Sequence, residues 1–169
     1  MKNMKRREFL GTGLTATTMA AVAGTGLLRS GMAFAGNVAG WPAKPFEEKK
    51  LAAAMTDSIG KTEIPVSSKV RLSAPSIAEN GAAVPVTIEI DSPMNADDYV
   101  KTVWLFVDHN PTPLASQFNF TPGCGHAFIQ QRIKMAKTDN VRVVARTSKG
   151  ELMASAPRKV KVTIGGCGG

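Results

Sequence analysis

The sequence predicts a mainly β, immunoglobulin-like antiparallel sandwich of about seven strands, with a short N-terminal helix and a flexible C-terminal arm. Three observations predict it. Apolar residues recur at every second position in short runs from residue 70 onward. Clusters of Pro, Asn and Gly separate those runs, and the one stretch of helical spacing precedes them. The Cys…Trp…Cys spacing of antibody domains is missing, so the likeness is one of architecture.

In chain order, residues 1–35 read as an export signal. Arg6 and Arg7 stand before Glu8-Phe9-Leu10, and Gly11 to Leu28 is an uncharged stretch broken by four glycines and five threonines. It ends at Ala33-Phe34-Ala35, a small-x-small site that places cleavage after Ala35. Paired arginines ahead of a mildly apolar region mark the twin-arginine route to the periplasm, although Lys5 stands where Ser or Thr is usual. A spanning helix needs about 20 predominantly apolar residues, which this stretch lacks. No second long apolar segment follows, so the mature chain is expected to be free of the membrane.

Residues 36–164 form the expected domain. A short lead with Trp41 and Pro42 precedes a helix over about Pro45 to Ile59, in which Leu51, Ala54, Met55 and Ile59 share a face and Gly60 is the stop. The strands follow. Val70, Leu72 and Ala74 make one alternating set, and Val84, Val86, Ile88 and Ile90 a cleaner one. Val100 to Val107 reads as a central strand, with Val103 to Val107 continuously apolar around Trp104 and Phe106. Leu114 to Phe120, Ala127 to Met135, Val141 to Thr147 and Lys159 to Ile164 complete the list, with a turn at Ser148-Lys149-Gly150.

Charge excludes little. Five of the 21 basic residues and one of the 13 acidic residues lie in the first 35, leaving 16 basic and 12 acidic and a net +4. That balance does not point to nucleic acid; it suits small anions or an acidic partner face.

The tail carries the chemistry. After Lys159-Val160-Lys161-Val162-Thr163-Ile164 the sequence reads Gly165-Gly166-Cys167-Gly168-Gly169. Four glycines bury no apolar surface and lose much backbone entropy if ordered, so residues 165–169 are expected to be a mobile arm. Its reach is at most about 17 Å at roughly 3.3–3.6 Å per residue. A catalytic thiol is normally activated by a neighbouring base, cation or helix N-terminus, and Cys167 has only glycines beside it. Its pKa should therefore lie near the free value of about 8.5. Such a thiol is a handle for cargo that other proteins load and unload, and no catalytic residue is expected in this chain.

Other readings compete with this one. In an oxidising compartment Cys124 and Cys167 could form a disulfide, worth about 4 kcal/mol on the chain-entropy model, which would block the handle. A buried, inert Cys124 is the commoner fate of a free cysteine. His109, Cys124 and His126, with Met135 as a fourth ligand, have the residue types of a blue-copper site, but at poor spacing. A purely structural exported module explains the strands and leaves the tail without a purpose. Arg158, Lys159 and Lys161 either guide an anionic partner towards the arm or solvate a sheet edge.

The run Val162-Thr163-Ile164-Gly165-Gly166-Cys167-Gly168-Gly169 is similar to the C-terminal motif of the SoxY family. Residues Phe106 to Ala115, reading FVDHNPTPLA, followed by Phe118-Asn119-Phe120, resemble the family's middle segment. The resemblance implies a non-catalytic sulfur carrier of periplasmic thiosulfate oxidation, paired with SoxZ and exported together with it. It further implies that Cys167 is joined to thiosulfate by SoxAX, relieved of sulfate by SoxB, and in some systems served by a sulfur dehydrogenase. Gly165, Gly166, Gly168 and Gly169 carry over as arm residues, and no cofactor or metal is implied. Cys124 departs from the family pattern.

Overall fold

The computed structural model describes residues 42–166. The expected export signal of residues 1–35 with its expected cleavage after Ala35, Trp41, and the last three residues (Cys167, Gly168 and Gly169) lie outside the described residues. The β-sandwich expected from the sequence is borne out, with nine strands among the described residues rather than about seven.

A three-stranded sheet has the order β1 (Val70–Ser73), β3 (Val84–Ile90), β6 (Ala127–Ile133). The larger sheet has the order β2 (Ile77–Asn80), β9 (Arg158–Ile164), β7 (Asp139–Thr147), β4 (Val100–Val107), β5 (Leu114–Asn119). The short β8 (Leu152–Ala154) pairs with the second half of β7 after a turn in which Gly150 has φ +84°.

Pairing is antiparallel except for β2 on β9, which is parallel, with Ile77 opposite Lys161 and Asn80 opposite Ile164. An all-antiparallel sandwich thus needs one correction. β2 crosses from the smaller sheet to the larger, so that β9 lies between β2 and β7. Arg158, Lys159 and Lys161 are exposed but stand on an inner strand, which removes their reading as an edge guard.

The alternating residues meet between the sheets. Val84, Val86, Ile88 and Ile90 pack against Val103, Leu105, Val107, Val141 and Val143 in one buried cluster. The other face of β4 carries Trp104 and Phe106, which lie in a second cluster with Leu114, Val144 and the helical Ala54, Met55 and Ile59. Burial on both faces is why Val103 to Val107 of β4 read as an unbroken apolar run.

The expected single helix is two: α1 (Ala43–Glu47) and α2 (Leu51–Ile59), separated by extended Glu48 and Lys50. Phe46 and Leu51 both pack on the second cluster. Five residues apart on one straight helix they would point about 140° from each other, so the break lets both reach one surface. Lys44 pairs with Asp57 at 3.0 Å across the two helices. Gly60, at φ +85°, ends α2 as expected, donating to the Met55 and Thr56 carbonyls. The guanidinium of Arg146 donates to the Ile59 carbonyl at 2.7 Å and lies 5.0 Å over the Trp104 ring, fastening the helix end to the sheet. None of the helices is long and apolar enough to cross a membrane among the described residues.

Leu105, fully buried between the sheets, gives a direct test of this core. Leu105→Ala should lower the unfolding free energy by about 2–5 kcal/mol, measured by urea denaturation. Ile164→Ala, at a position 67% exposed, should change it by less than about 0.5 kcal/mol.

Candidate functional site at the root of the C-terminal arm

Strand β9 delivers Gly165 and Gly166 to a crowded place. Asn80 closes β2, and its side-chain oxygen accepts from the Ala82 amide at 2.8 Å, tightening a 3₁₀ turn over Gly81–Ala83. On the other side of the chain end, the connection between β6 and β7 runs alongside it. Thr138 Oγ1 accepts from the Val162 amide at 2.9 Å, and the Gly166 amide donates to the Met135 carbonyl at 2.9 Å. The Met135 amide in turn donates to the Gly81 carbonyl at 2.7 Å. Gly166, half-buried, therefore lies in a slot between the Gly81 turn and the Met135 carbonyl, while Gly165, exposed, runs against Ala136.

No side chain fits there. A Cβ on Gly165 would overlap the Ala136 carbonyl, one on Gly166 would overlap the Gly81 and Ala82 backbone, and one on Gly81 would overlap the Met135 carbonyl. The sequence predicts that these glycines give freedom; at 165 and 166 they give close approach instead. Gly168 and Gly169 are not described, and neither is Cys167.

The slot is braced from β4. Beyond Val107, Asp108 is buried and accepts from Arg142 Nε at 2.7 Å and from its Nη2. Asp139, also buried, accepts from the His109 amide and its Nδ1. Asn110 reaches the slot itself. Its amide nitrogen donates to the Lys134 carbonyl at 2.8 Å and its side-chain oxygen accepts from the Ala136 amide at 3.0 Å. Met135 is held between these two bonds and is fully buried. Asn110 also lines an open cleft of about 500 Å³, together with Leu114, Arg132 and Lys134. Asn110 enters the sequence reading only within the Phe106 to Ala115 segment, and Gly81 does not enter it. The run of small residues Gly81-Ala82-Ala83 facing a glycine-rich end was the available signal.

The proposed copper ligands are not brought together. His109 follows the C-terminal end of β4, whereas Phe120, which leads into the Cys124 loop, pairs with Lys101 near its N-terminal end. At roughly 3.3 Å per residue those ends are about 25 Å apart. His126 instead faces Glu89 and stacks on Phe128. Among the described residues no group of three or more His, Cys, Asp or Glu is placed to hold a metal.

Cys124 is a free, exposed thiol in a 3₁₀ turn (Pro122–Cys124), not a buried one. The Thr121 backbone, and then the Thr121 hydroxyl 3.8 Å from its sulfur, hold its pKa below the usual thiol range.

The family model described as "Sulfur oxidation protein SoxY" matches residues 55–167. The chain belongs to the SoxY family. The fold is similar to that of the sulfur carrier protein SoxY from Chlorobium limicola f thiosulfatophilum, at 36% identity and a TM-score of 0.56, covering 68% of this chain and 97% of that one. A superoxide reductase (neelaredoxin) from Ignicoccus hospitalis is similar at 16% identity and a TM-score of 0.50, covering 56% of this chain and 80% of that one. At that identity the likeness is one of fold alone. No curated protein matches.

In a Cys167→Ser background, alkylation of native Cys124 by iodoacetamide should rise with pH through a midpoint below that of a free thiol. The lowered pKa means that the thiolate appears earlier as pH increases. Thr121→Val, which removes the hydroxyl contribution, should move the midpoint upward; an unchanged midpoint would show that the hydroxyl contributes nothing.

Proposed function

We propose that this chain is a non-catalytic sulfur carrier of periplasmic thiosulfate oxidation that holds its cargo on the thiol of Cys167. The observation that carries the reading is that the family match runs through to residue 167, one residue past the seated Gly166. The relative from Chlorobium is named a sulfur carrier, and the same role is assigned here.

The chemistry needs no group from this chain beyond the sulfur. In loading, the Cys167 thiolate and the terminal sulfur of thiosulfate form an S–S bond, and two electrons leave to a c-type haem oxidant, SoxAX. In unloading, water attacks the sulfonate sulfur of the adduct; SoxB releases sulfate and two protons, and a persulfide remains on Cys167. Some systems oxidise that sulfur further through a sulfur dehydrogenase. SoxZ is the proposed stable partner, and residues 1–35 are the proposed twin-arginine leader that exports the pair. Gly168 and Gly169 keep the thiol slim enough for a partner's narrow active site.

The adduct is anionic, and Arg132 and Lys134 line a cleft that they share with Asn110, whose side chain braces the Met135 loop. Their charge favours an anion near the carrier end and speeds its encounter with it. Cys124 is exposed, yet it lies in the loop at the far end of β4 from the slot. It has no part in carrying cargo.

With thiosulfate and the partner enzymes present, mass spectrometry should find substrate-derived sulfur on Cys167 in the native protein and in Cys124→Ser. Cys167→Ser should carry none and support no turnover, while keeping the native unfolding midpoint and SoxZ binding. Turnover by the serine variant would exclude the carrier role.

A further inference from the structure

We propose that Asn110 and Gly81 are positioning residues for the carrier end, seating Gly165 and Gly166 so that cargo is presented from Gly166 rather than from the end of β9 at Ile164. The purpose of this seat rests on the carrier reading; its existence does not.

Two bonds from one amide side chain set the loop. Asn110 holds the Lys134 carbonyl and the Ala136 amide, so the backbone between them is fixed with the Met135 carbonyl towards the chain end. That carbonyl accepts from Gly166. From the opposite wall Gly81 comes close enough that a Cβ on it would stand 2.8 Å from the Gly166 nitrogen. Its carbonyl accepts from Met135, so the two walls are tied to each other as well as to the strand they enclose. Met135, at the centre, is also part of the main core. The seat is therefore an extension of the folded body.

This shortens the free arm. If the arm began after Ile164, the cysteine would be the third mobile residue and the thiol would sweep a wide volume. Seated at Gly166, Cys167 begins one Cα–Cα step of about 3.8 Å from a fixed point. A partner enzyme must then come up to the body around Gly81 and Met135, or draw the two glycines out of the slot. Asn110 acts through the loop that its two bonds hold.

Amide hydrogen exchange followed residue by residue by NMR on the full chain tests the seat without any sulfur chemistry, so it can fail while the carrier reading stands. Relative to intrinsic rates, the Gly166 amide should exchange about 100-fold or more slowly than that of Gly168. In Asn110→Ala the Gly166 amide should speed up at least about 10-fold while those of Leu105 and Val143 stay unchanged, a local effect that general destabilisation would not give. Asn110→Asp, which keeps the acceptor for Ala136 and loses the donor to Lys134, should fall between. In Gly166→Ala, a substitution outside both core clusters, the amide at 166 should exchange freely, because the new Cβ overlaps the Gly81 turn. Equal exchange at Gly166 and Gly168 in the unsubstituted chain overturns the proposal. So does undiminished protection at 166 in either Asn110→Ala or Gly166→Ala.

Discussion

Strand β4 is covered on both faces, and the rest of the molecule takes its position from that. Val103, Leu105 and Val107 look into the sandwich, while Trp104 and Phe106 look into the helical layer. A strand so placed cannot slip by one residue, because the slip would exchange the two sets of side chains between differently shaped cavities. Its fixed register carries beyond Val107 into Asp108, His109 and Asn110, each of which is tied to the β6–β7 side of the molecule. Asn110 passes that order on to Met135, and Met135 to the end of the chain. The apolar core and the seat of Gly166 are thus linked through a handful of polar bonds.

The polar bonds have the properties that such a link needs. Asp108 is buried and meets Arg142 through two nitrogens, a geometry that fixes direction as well as distance. Among the described residues, no buried side-chain nitrogen or oxygen is without a partner. A satisfied network of this kind rigidifies its surroundings. Rigidity at this end of the sandwich fixes the place from which the chain leaves the folded body at Gly166.

Much of this was legible in the sequence where the physics is periodic. Val84, Val86, Ile88 and Ile90 announced a half-buried strand, and the unbroken run around Trp104 announced one covered on both sides. The strands β2 and β8 did not show, because a four-residue segment with only Ala78 buried, and a three-residue one, are too short to display a period. The break in the helix was hidden because Glu48, Lys49 and Lys50 all favour helix. Only the shared surface under Phe46 and Leu51 requires the turn. Cys167 stood out by its setting. The seat of Gly165 and Gly166 did not, since a missing Cβ permits both freedom and close approach, and one chain read alone does not say which.

The pairing of β9 has a mechanical corollary. It runs parallel to β2 and antiparallel to β7, with bonds to a neighbour on each flank. Tension applied to the C-terminal end would act along the strand, loading those bonds sideways and together rather than unzipping them one after another. Such an anchorage suits traction, the load passing to β2 through Lys161 to Ile164 and to β7 through Arg158 to Val160.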